Sequence, residues 1–363
     1  MNVSNSSSVS VSSLANVHSH LREGPVLGPL IEQVIAGGAD VILPMPNTTA
    51  GLCTSEQVLE YIKTAISLVP SESDVAFIPT AMITERTTPE AVYECVTAGI
   101  FDFKVYPRQR TTKSENGVRN YGRVLAMIKE AANAALATYG VRIKVHFHPE
   151  HPSMAFSNRD AELAFLPILY MFVEETEATI ISEHGTDARC IPHWKNLAES
   201  RRFYVTLTAH HLLTTEDLTF GDVRCVCKPP IKLESDRTAL VDLIAKDLPW
   251  VMAGPDDAPH DRHSKHVEQG CCACGAYTAP FLLPLYAHAL DGLFQTREGV
   301  SIFVNFTSRN ARNLHDLPVP SREIVLVRKP FRIPDIYQVG DWTVEPFWAG
   351  KTIDWSFADH IDQ

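Results

Sequence analysis

Short apolar, β-type runs recur along the chain at residues 14–17, 40–45, 75–82, 101–106, 141–148, 179–183, 203–208 and 250–253. Between most of them lie segments with helical spacing of apolar positions, at residues 55–68, 89–98, 121–139, 159–175 and 235–246. In the third of these, Val124, Ile128, Ala131 and Ala135 fall on one helix face. Strand alternating with helix in this way predicts an α/β fold, a (β/α)8 TIM barrel. The pattern stops after Asp256. Residues 257–277 mix His, Cys and charged side chains without a period, which predicts a long functional loop. Apolar helical material returns at 281–293 and 302–314, and short strands and turns follow. The expected organisation is a disordered lead-in over 1–13 and a barrel over 14–320. A small C-terminal extension of the same domain, 321–363, packs on the barrel.

Composition narrows the function classes. A chain of 363 residues with 45% hydrophobic and 21% charged side chains suits a soluble globular protein with a core large enough to need no staples. A net charge of −11 and the lack of a Lys/Arg-rich run argue against a nucleic-acid partner. No apolar stretch approaches the roughly 20 residues that span a membrane. The Ser/Asn/Val-rich start has neither the basic region nor the apolar core of a secretory signal. Eight cysteines in such a chain suit a reducing cytoplasm better than a disulfide framework.

A barrel carries its chemistry at the C-terminal ends of its strands. His18, His20, Asn47, Lys104, His148, His184 and Asp256 all lie at or just past such ends. His18 and His20 are two residues apart, so they point the same way from a strand and can share one ion. Histidine and carboxylate ligands suit zinc and similar divalent ions. Six ligand-type residues exceed the needs of one tetrahedral ion and can serve two. A buried lysine in a cationic site loses its proton readily. Its neutral amine can add carbon dioxide, and the two carbamate oxygens can bridge two metals. Lys104, at an apolar strand end, has that setting.

Taken singly, each histidine is more often a satisfied polar residue than a ligand, and Lys104 an ordinary lysine reaching water. The joint placement carries the metal reading. His146 shares a strand face with His148 and competes with it for the ligand role. Cys271, Cys272 and Cys274, even with Cys225 and Cys227, lack the spacing of paired zinc-binding cysteines.

Several of these segments resemble dihydroorotases of the amidohydrolase superfamily, of the free-standing bacterial and fungal type. They are His18-Ser19-His20-Leu21-Arg22, Met45-Pro46-Asn47, Lys104-Val105-Tyr106-Pro107, Thr111-Thr112 with Gly117-Val118, and Glu183-His184. Residues 206–212, Cys227-Lys228-Pro229, Asp256-Asp257-Ala258-Pro259-His260, residues 346–351 and Trp355-Ser356 complete the set. The resemblance runs from about residue 14 to 356. It implies reversible cyclisation of N-carbamoyl-L-aspartate to L-dihydroorotate in pyrimidine biosynthesis, by a cytoplasmic homodimer. It implies two Zn2+ per chain, one held by His18, His20 and Asp256 and the other by His148 and His184. Carboxylated Lys104 and a hydroxide would bridge them, with Asp256 as the proton shuttle. Arg22, Asn47 and His260 would grip the substrate carboxylate. Thr111 and Thr112 would lie on a mobile loop over the ring, with Lys228 and Ala273 (or Cys274) also in contact.

The chain departs from the family at several places near the site. His148-Pro149-Glu150 stands where His-Gly-Glu is usual, and proline loses an N–H and locks φ. Gly254-Pro255-Asp256-Asp257 stands where Gly-Thr/Ser-Asp-Ser is usual, which puts a second carboxylate beside Asp256. Residues 48–51 lack the customary prolines, and residues 107–110 are more basic than usual. These changes leave two other readings open. One is a binuclear cyclic amidase acting on a hydantoin, dihydropyrimidine or imide; the other is a catalytically silent barrel kept as a binding or scaffold subunit.

Overall fold

The computed structural model describes residues 8–112, 114–320 and 322–358. After a leading strand β1 (Ser8–Ser12), the barrel strands are β2 (Leu14–Ser19), β3 (Ala39–Pro44), β4 (Ala76–Phe77), β5 (Thr80–Ile83), β6 (Asp102–Val105), β7 (Lys144–Phe147), β8 (Thr179–Ser182), β9 (Phe203–Leu207) and β10 (Val251–Ala253). Every pairing among β2 to β10 is parallel. Helices α1 (Leu27–Ala36), α2 (Ser55–Ser67), α3 (Pro89–Thr97), α4 (Tyr121–Tyr139), α5 (Leu166–Glu175) and α6 (Ile191–Ala198) fill the crossovers up to β9. Three more, α7 (Ala209–Leu213), α8 (Glu216–Thr219) and α9 (Glu234–Ile244), lead to β10.

Two joints complete the ring. The predicted strand over 75–82 is split at Pro79, which has no N–H to give to a ladder. Its first half, β4, pairs with β3, and its second half, β5, pairs with β6. The chain itself therefore links the two parallel sheets. At the other joint, Ser19 bridges Asp257 in parallel register, and the His20 N–H donates to the Asp257 carbonyl at 3.1 Å. With β4 and β5 as one stave, eight staves surround an inner core of Val17, Val41, Leu43, Ile78, Ile181 and Met252.

Parallel strands buried on both faces read as continuous apolar runs; β2 is buried at every position. The helices cover the outside with single stripes, as in α1, where Leu27, Leu30, Ile31 and Val34 are buried. Local chemistry sets their starts. Thr54 and Gln57 form a capping box on α2, and Thr88 caps α3 with Pro89 in its first turn. The predicted helix over 159–175 is α-helical only from Leu166, where Pro167 takes a first-turn position; turns and a short 3-10 segment, Leu163–Phe165, precede it.

The expected disordered lead-in is corrected for residues 8–12. They form β1, which pairs antiparallel with β11 (Glu323–Val327), and β11 pairs with β16 (Ser356–Phe357). The alternation in Ser8-Val9-Ser10-Val11-Ser12 explains it: Val11 is buried while Ser8 and Ser10 face outward. Residues 1–7 lie outside the described residues. The extension adds two small antiparallel pairs, β12 (Phe331–Arg332) with β15 (Thr352–Ile353) and β13 (Tyr337–Val339) with β14 (Trp342–Val344). Its Phe347, Ile353 and Trp355 join the main apolar core. Among the described residues, no helix is long and apolar enough to cross a membrane.

Candidate metal and substrate site

Residues at or just past the ends of β2, β3, β6, β7, β8 and β10 line one mouth. His18 Nε2 and His20 Nε2 each lie 3.1 Å from Asp256 Oδ1. Ligand atoms of His18, His184 and Asp256 all fall within 4.8 Å of one another, a spacing that can hold a metal ion. The His184 ring sits 5.2 Å from that of His18 and 4.6 Å from that of His148. Lys104 is fully buried. Its Nζ has no hydrogen-bond partner, lies 3.9 Å from Glu183 Oε1 and stands 5.3 Å over the Tyr106 ring. Arg22, His184 and Asp256 all take left-handed backbone conformations (φ of 60°, 40° and 49°). Such conformations are uncommon outside glycine and concentrate at functional sites.

Burial sets the charge states. It pushes the His184 imidazole well below its ordinary value, with His148 adding to the effect. It lowers His148 despite Glu150, and takes His20 down to about 4 against the pull of Asp256. Lys104 is lowered by burial, with Glu183 and Asp256 opposing. Burial alone would raise Asp256, but the charge of His18 and the hydrogen bonds of His18 and His20 hold it well below the usual carboxylate range. For His18, burial is outweighed by Glu183 and Asp256, which raise it. His20, His148 and His184 are thus favoured as neutral imidazoles and Asp256 as an ionised carboxylate, the forms that metals require, while Glu183 and Asp256 favour the charged form of His18.

Sequence reasoning missed the carboxylates behind these ligands. Glu183 accepts from His18 Nδ1 on one oxygen and from His146 Nδ1 at 2.6 Å on the other. Thr206 Oγ1 also donates to it, at 3.1 Å. His148 Nε2 is paired with Glu150 Oε2 at 2.7 Å. The available signal was placement: Glu183 directly precedes His184, and Glu150 lies two residues past His148. His146, the rival ligand, has its other nitrogen 2.9 Å from Asp102 Oδ1. It pairs in register with Lys104, and both its nitrogens are taken.

The family departures lie on the scaffold side. At Pro149 the neighbouring bonds survive: His148 N donates to Val105 O at 3.1 Å and Glu150 N to His148 O at 3.0 Å. Asp257 accepts from Asn16 Nδ2 and Ser19 Oγ, both at 3.1 Å. Asn16 Oδ1 in turn accepts from the His18 N–H at 3.1 Å. Burial pushes the Asp257 carboxyl up to about 7. Asp257 therefore serves the barrel seam and does not line the cavity.

That cavity is narrow, and His18, His20, Arg22, Asn47, Tyr106, Thr111, Thr112, Lys228 and Cys274, among others, line it. Arg22 Nε donates to Pro259 O at 3.0 Å, and its Nη2 lies 3.2 Å from His260 Nε2. His260 does not line the wall; its Nε2 also lies 3.0 Å from Cys274 O, and one ring nitrogen either accepts from Arg22 or donates to that carbonyl, not both. Asn47 Nδ2 donates to Thr112 O at 3.4 Å and leaves its Oδ1 without a partner. Thr112 Oγ1 bonds both the carbonyl and the N–H of Cys274 at 3.3 Å. Arg110 roots this loop on the carbonyls of His151 (2.7 Å), Phe156 (3.1 Å) and Ser153.

Lys228 lines the cavity while staying partly exposed, with Nζ on Asn158 Oδ1 and 3.7 Å from Glu150 Oε1. The expected contact at Ala273 shifts by one residue. Lys265 Nζ gathers the carbonyls of Val226, Ala273 and Gly275, which holds Ala273 behind the wall and leaves Cys274 and Gly275 on it. Tyr106 on the wall was not foreseen. All eight cysteines are free. Cys227 forms a second buried group with His210 and His211, but the His211 nitrogens already pair with Thr208 Oγ1 (2.7 Å) and Pro229 O (3.0 Å).

No family model matches the chain. It is 31% identical over 354 residues to a probable dihydroorotase of Schizosaccharomyces pombe, covering 96% of this chain and 98% of that one. Its fold superposes with a TM-score of 0.87 on Saccharomyces cerevisiae dihydroorotase crystallised with 5-fluoroorotic acid, at 26% identity over 96% of this chain and 98% of that one. An L-hydantoinase of Arthrobacter aurescens shares the fold alone, with a TM-score of 0.76 at 13% identity, covering 96% of this chain and 82% of that one.

Proposed function

Because the chain belongs to the dihydroorotase family, we propose that it is a metal-dependent dihydroorotase, interconverting N-carbamoyl-L-aspartate and L-dihydroorotate in pyrimidine biosynthesis. The observation that carries the reading is the convergence of His18, His20, His148, His184 and Asp256 on a cavity that also holds Arg22. The donor set fits two zinc ions. His18, His20 and Asp256 would hold one, and His148 and His184 the other. Lys104, whose buried Nζ lacks any hydrogen-bond partner, would join them as a carbamate. When bound, the ions supply a nucleophile at neutral pH and polarise the ring amide.

The side chains do the rest. Asp256 is held ionised, so it accepts a proton from the attacking oxygen and passes it to the departing amide nitrogen. Arg22 presents a planar guanidinium that matches the ring's carboxylate, with Asn47 beside it and His260 positioning it. Thr111 and Thr112 cover the ring and keep water out. The neighbouring Asp257 faces the seam, so the cavity itself carries no feature that favours a neutral ring. A cytoplasmic homodimer completes the proposal, consistent with the free cysteines.

The zinc-loaded protein should open dihydroorotate, followed as loss of the ring's ultraviolet absorbance, and Asp256→Asn should abolish turnover. A zinc-loaded wild type with no turnover would remove the reading.

A further inference from the structure

We propose that His146 is a positioning residue of the metal centre: it holds Glu183 in the orientation that fixes the His18 imidazole. The proposal rests on the dihydroorotase reading only in that His18 is taken to hold an ion. A carboxylate offers acceptors alone, so each buried oxygen needs a donor. Glu183 is fully buried. One oxygen takes His18 Nδ1 and Thr206 Oγ1; the other takes His146 Nδ1 at 2.6 Å and lies 3.9 Å from Lys104 Nζ. Once Lys104 is a carbamate it no longer presents an ammonium. His146 is then the donor left to that oxygen among the described residues.

His146 is itself held on two further sides. Its Nε2 donates to Asp102 Oδ1 at 2.9 Å, and its ring stacks on His315 at 6.3 Å with planes 16° apart. Asp102, His146, Glu183 and His18 thus form one buried chain across the barrel, running through β6, β7, the end of β8 and β2. Its outer end fixes His18 Nδ1, which leaves Nε2 facing Asp256 at 3.1 Å. Partners of this kind hold a ligating imidazole in one tautomer and orientation, and their loss weakens metal binding roughly 10–100-fold.

The test is zinc titration of metal-stripped, full-length protein against a chromophoric chelator, with the Co2+ absorption spectrum as a second readout. Wild type should take up two equivalents. His146→Leu should weaken one equivalent by roughly 10–100-fold and leave the other within about threefold. His146→Gln, which keeps an N–H within reach of Glu183, should recover most of the loss. Asp102→Asn leaves the imidazole in place; it should weaken the same equivalent by a smaller factor, and it decides the matter if His146→Leu fails to fold. Wild-type affinity for both ions in the Leu variant, or in Asp102→Asn where that variant decides, overturns the proposal. So does equal weakening of both ions in a folded Gln variant. A wild type that binds no ion overturns the dihydroorotase reading itself, and the proposal with it.

Discussion

Gly254 governs two site residues through one neighbour. A Cβ there would stand 2.4 Å from Thr206 Cβ. Thr206 Oγ1 accepts the His184 N–H at 2.7 Å and donates to Glu183 at 3.1 Å. Gly254→Ala must therefore push the side chain that seats both. We expect it to lower stability by about 1–3 kcal/mol and to cut kcat as well, read from thermal melts and steady-state rates. A variant with wild-type melting and turnover would show that Thr206 does not seat them. At this scale the residues proposed as ligands could be picked out because metal chemistry admits few residue types and a barrel puts them at strand ends. Glu183 and Tyr106 were not, since their roles exist only through contacts far away in sequence. The choice between Ala273 and Cys274 turned on three carbonyls gathered by Lys265, which no local pattern announces.

The elements were legible in proportion to their length and period. The long α4 stands over Tyr121–Tyr139, as its apolar spacing predicts. The five-residue β1 was hidden by its serines, and its partner lies more than 300 residues on, as the Ser10–Glu323 bond shows. The break at Pro79 was announced by the proline itself, which gives no N–H to a ladder, but the apolar run across it read as one strand. Elements are also tied by charge. Lys232, nearly fully buried, donates to Glu162 Oε2 and Thr186 Oγ1 at 2.7 Å and lies 3.7 Å from Asp187 Oδ2. This links the start of α9 to the segments after β7 and β8.

Burial would lower Lys232, but Glu162 and Asp187 raise it above its ordinary 10.5. Burial would raise Asp187, but Arg189 and Lys232 hold it below its ordinary 3.8. The lysine's contribution is therefore complete below about pH 10 and is lost as pH rises through the raised value. The aspartate's is present above about pH 4 and is lost as pH falls through the depressed value. Lys232→Met should cost about 3–5 kcal/mol across the neutral range, because it leaves the buried Glu162 carboxylate without its cation, while Asp187 keeps Arg189. The deficit should shrink at the acid end. Melting curves from pH 3 to 9 check this, and a pH-independent deficit would contradict it.

On the scale of the whole molecule, the ring is the device that makes distant residues neighbours. Its closing joint, Ser19 to Asp257, places the strand bearing His18 and His20 beside the segment bearing Asp256, 236 positions on from His20. The eightfold alternation predicted that convergence; the manner of closure had to be seen. Asp257, which read as a charge intruding on the site, is the acceptor at that joint. The proposed function requires a metal site that suits an acidic ring. The most direct measurement is the ratio of kcat/KM for dihydroorotate to that for dihydrouracil on the zinc-loaded enzyme, two rings that differ by the carboxylate Arg22 would grip. A preference for dihydroorotate of about 10³-fold or more is predicted, because a buried guanidinium left without its partner penalises the neutral ring. Equal or faster opening of dihydrouracil would contradict it and return the chain to the wider class of cyclic amidases.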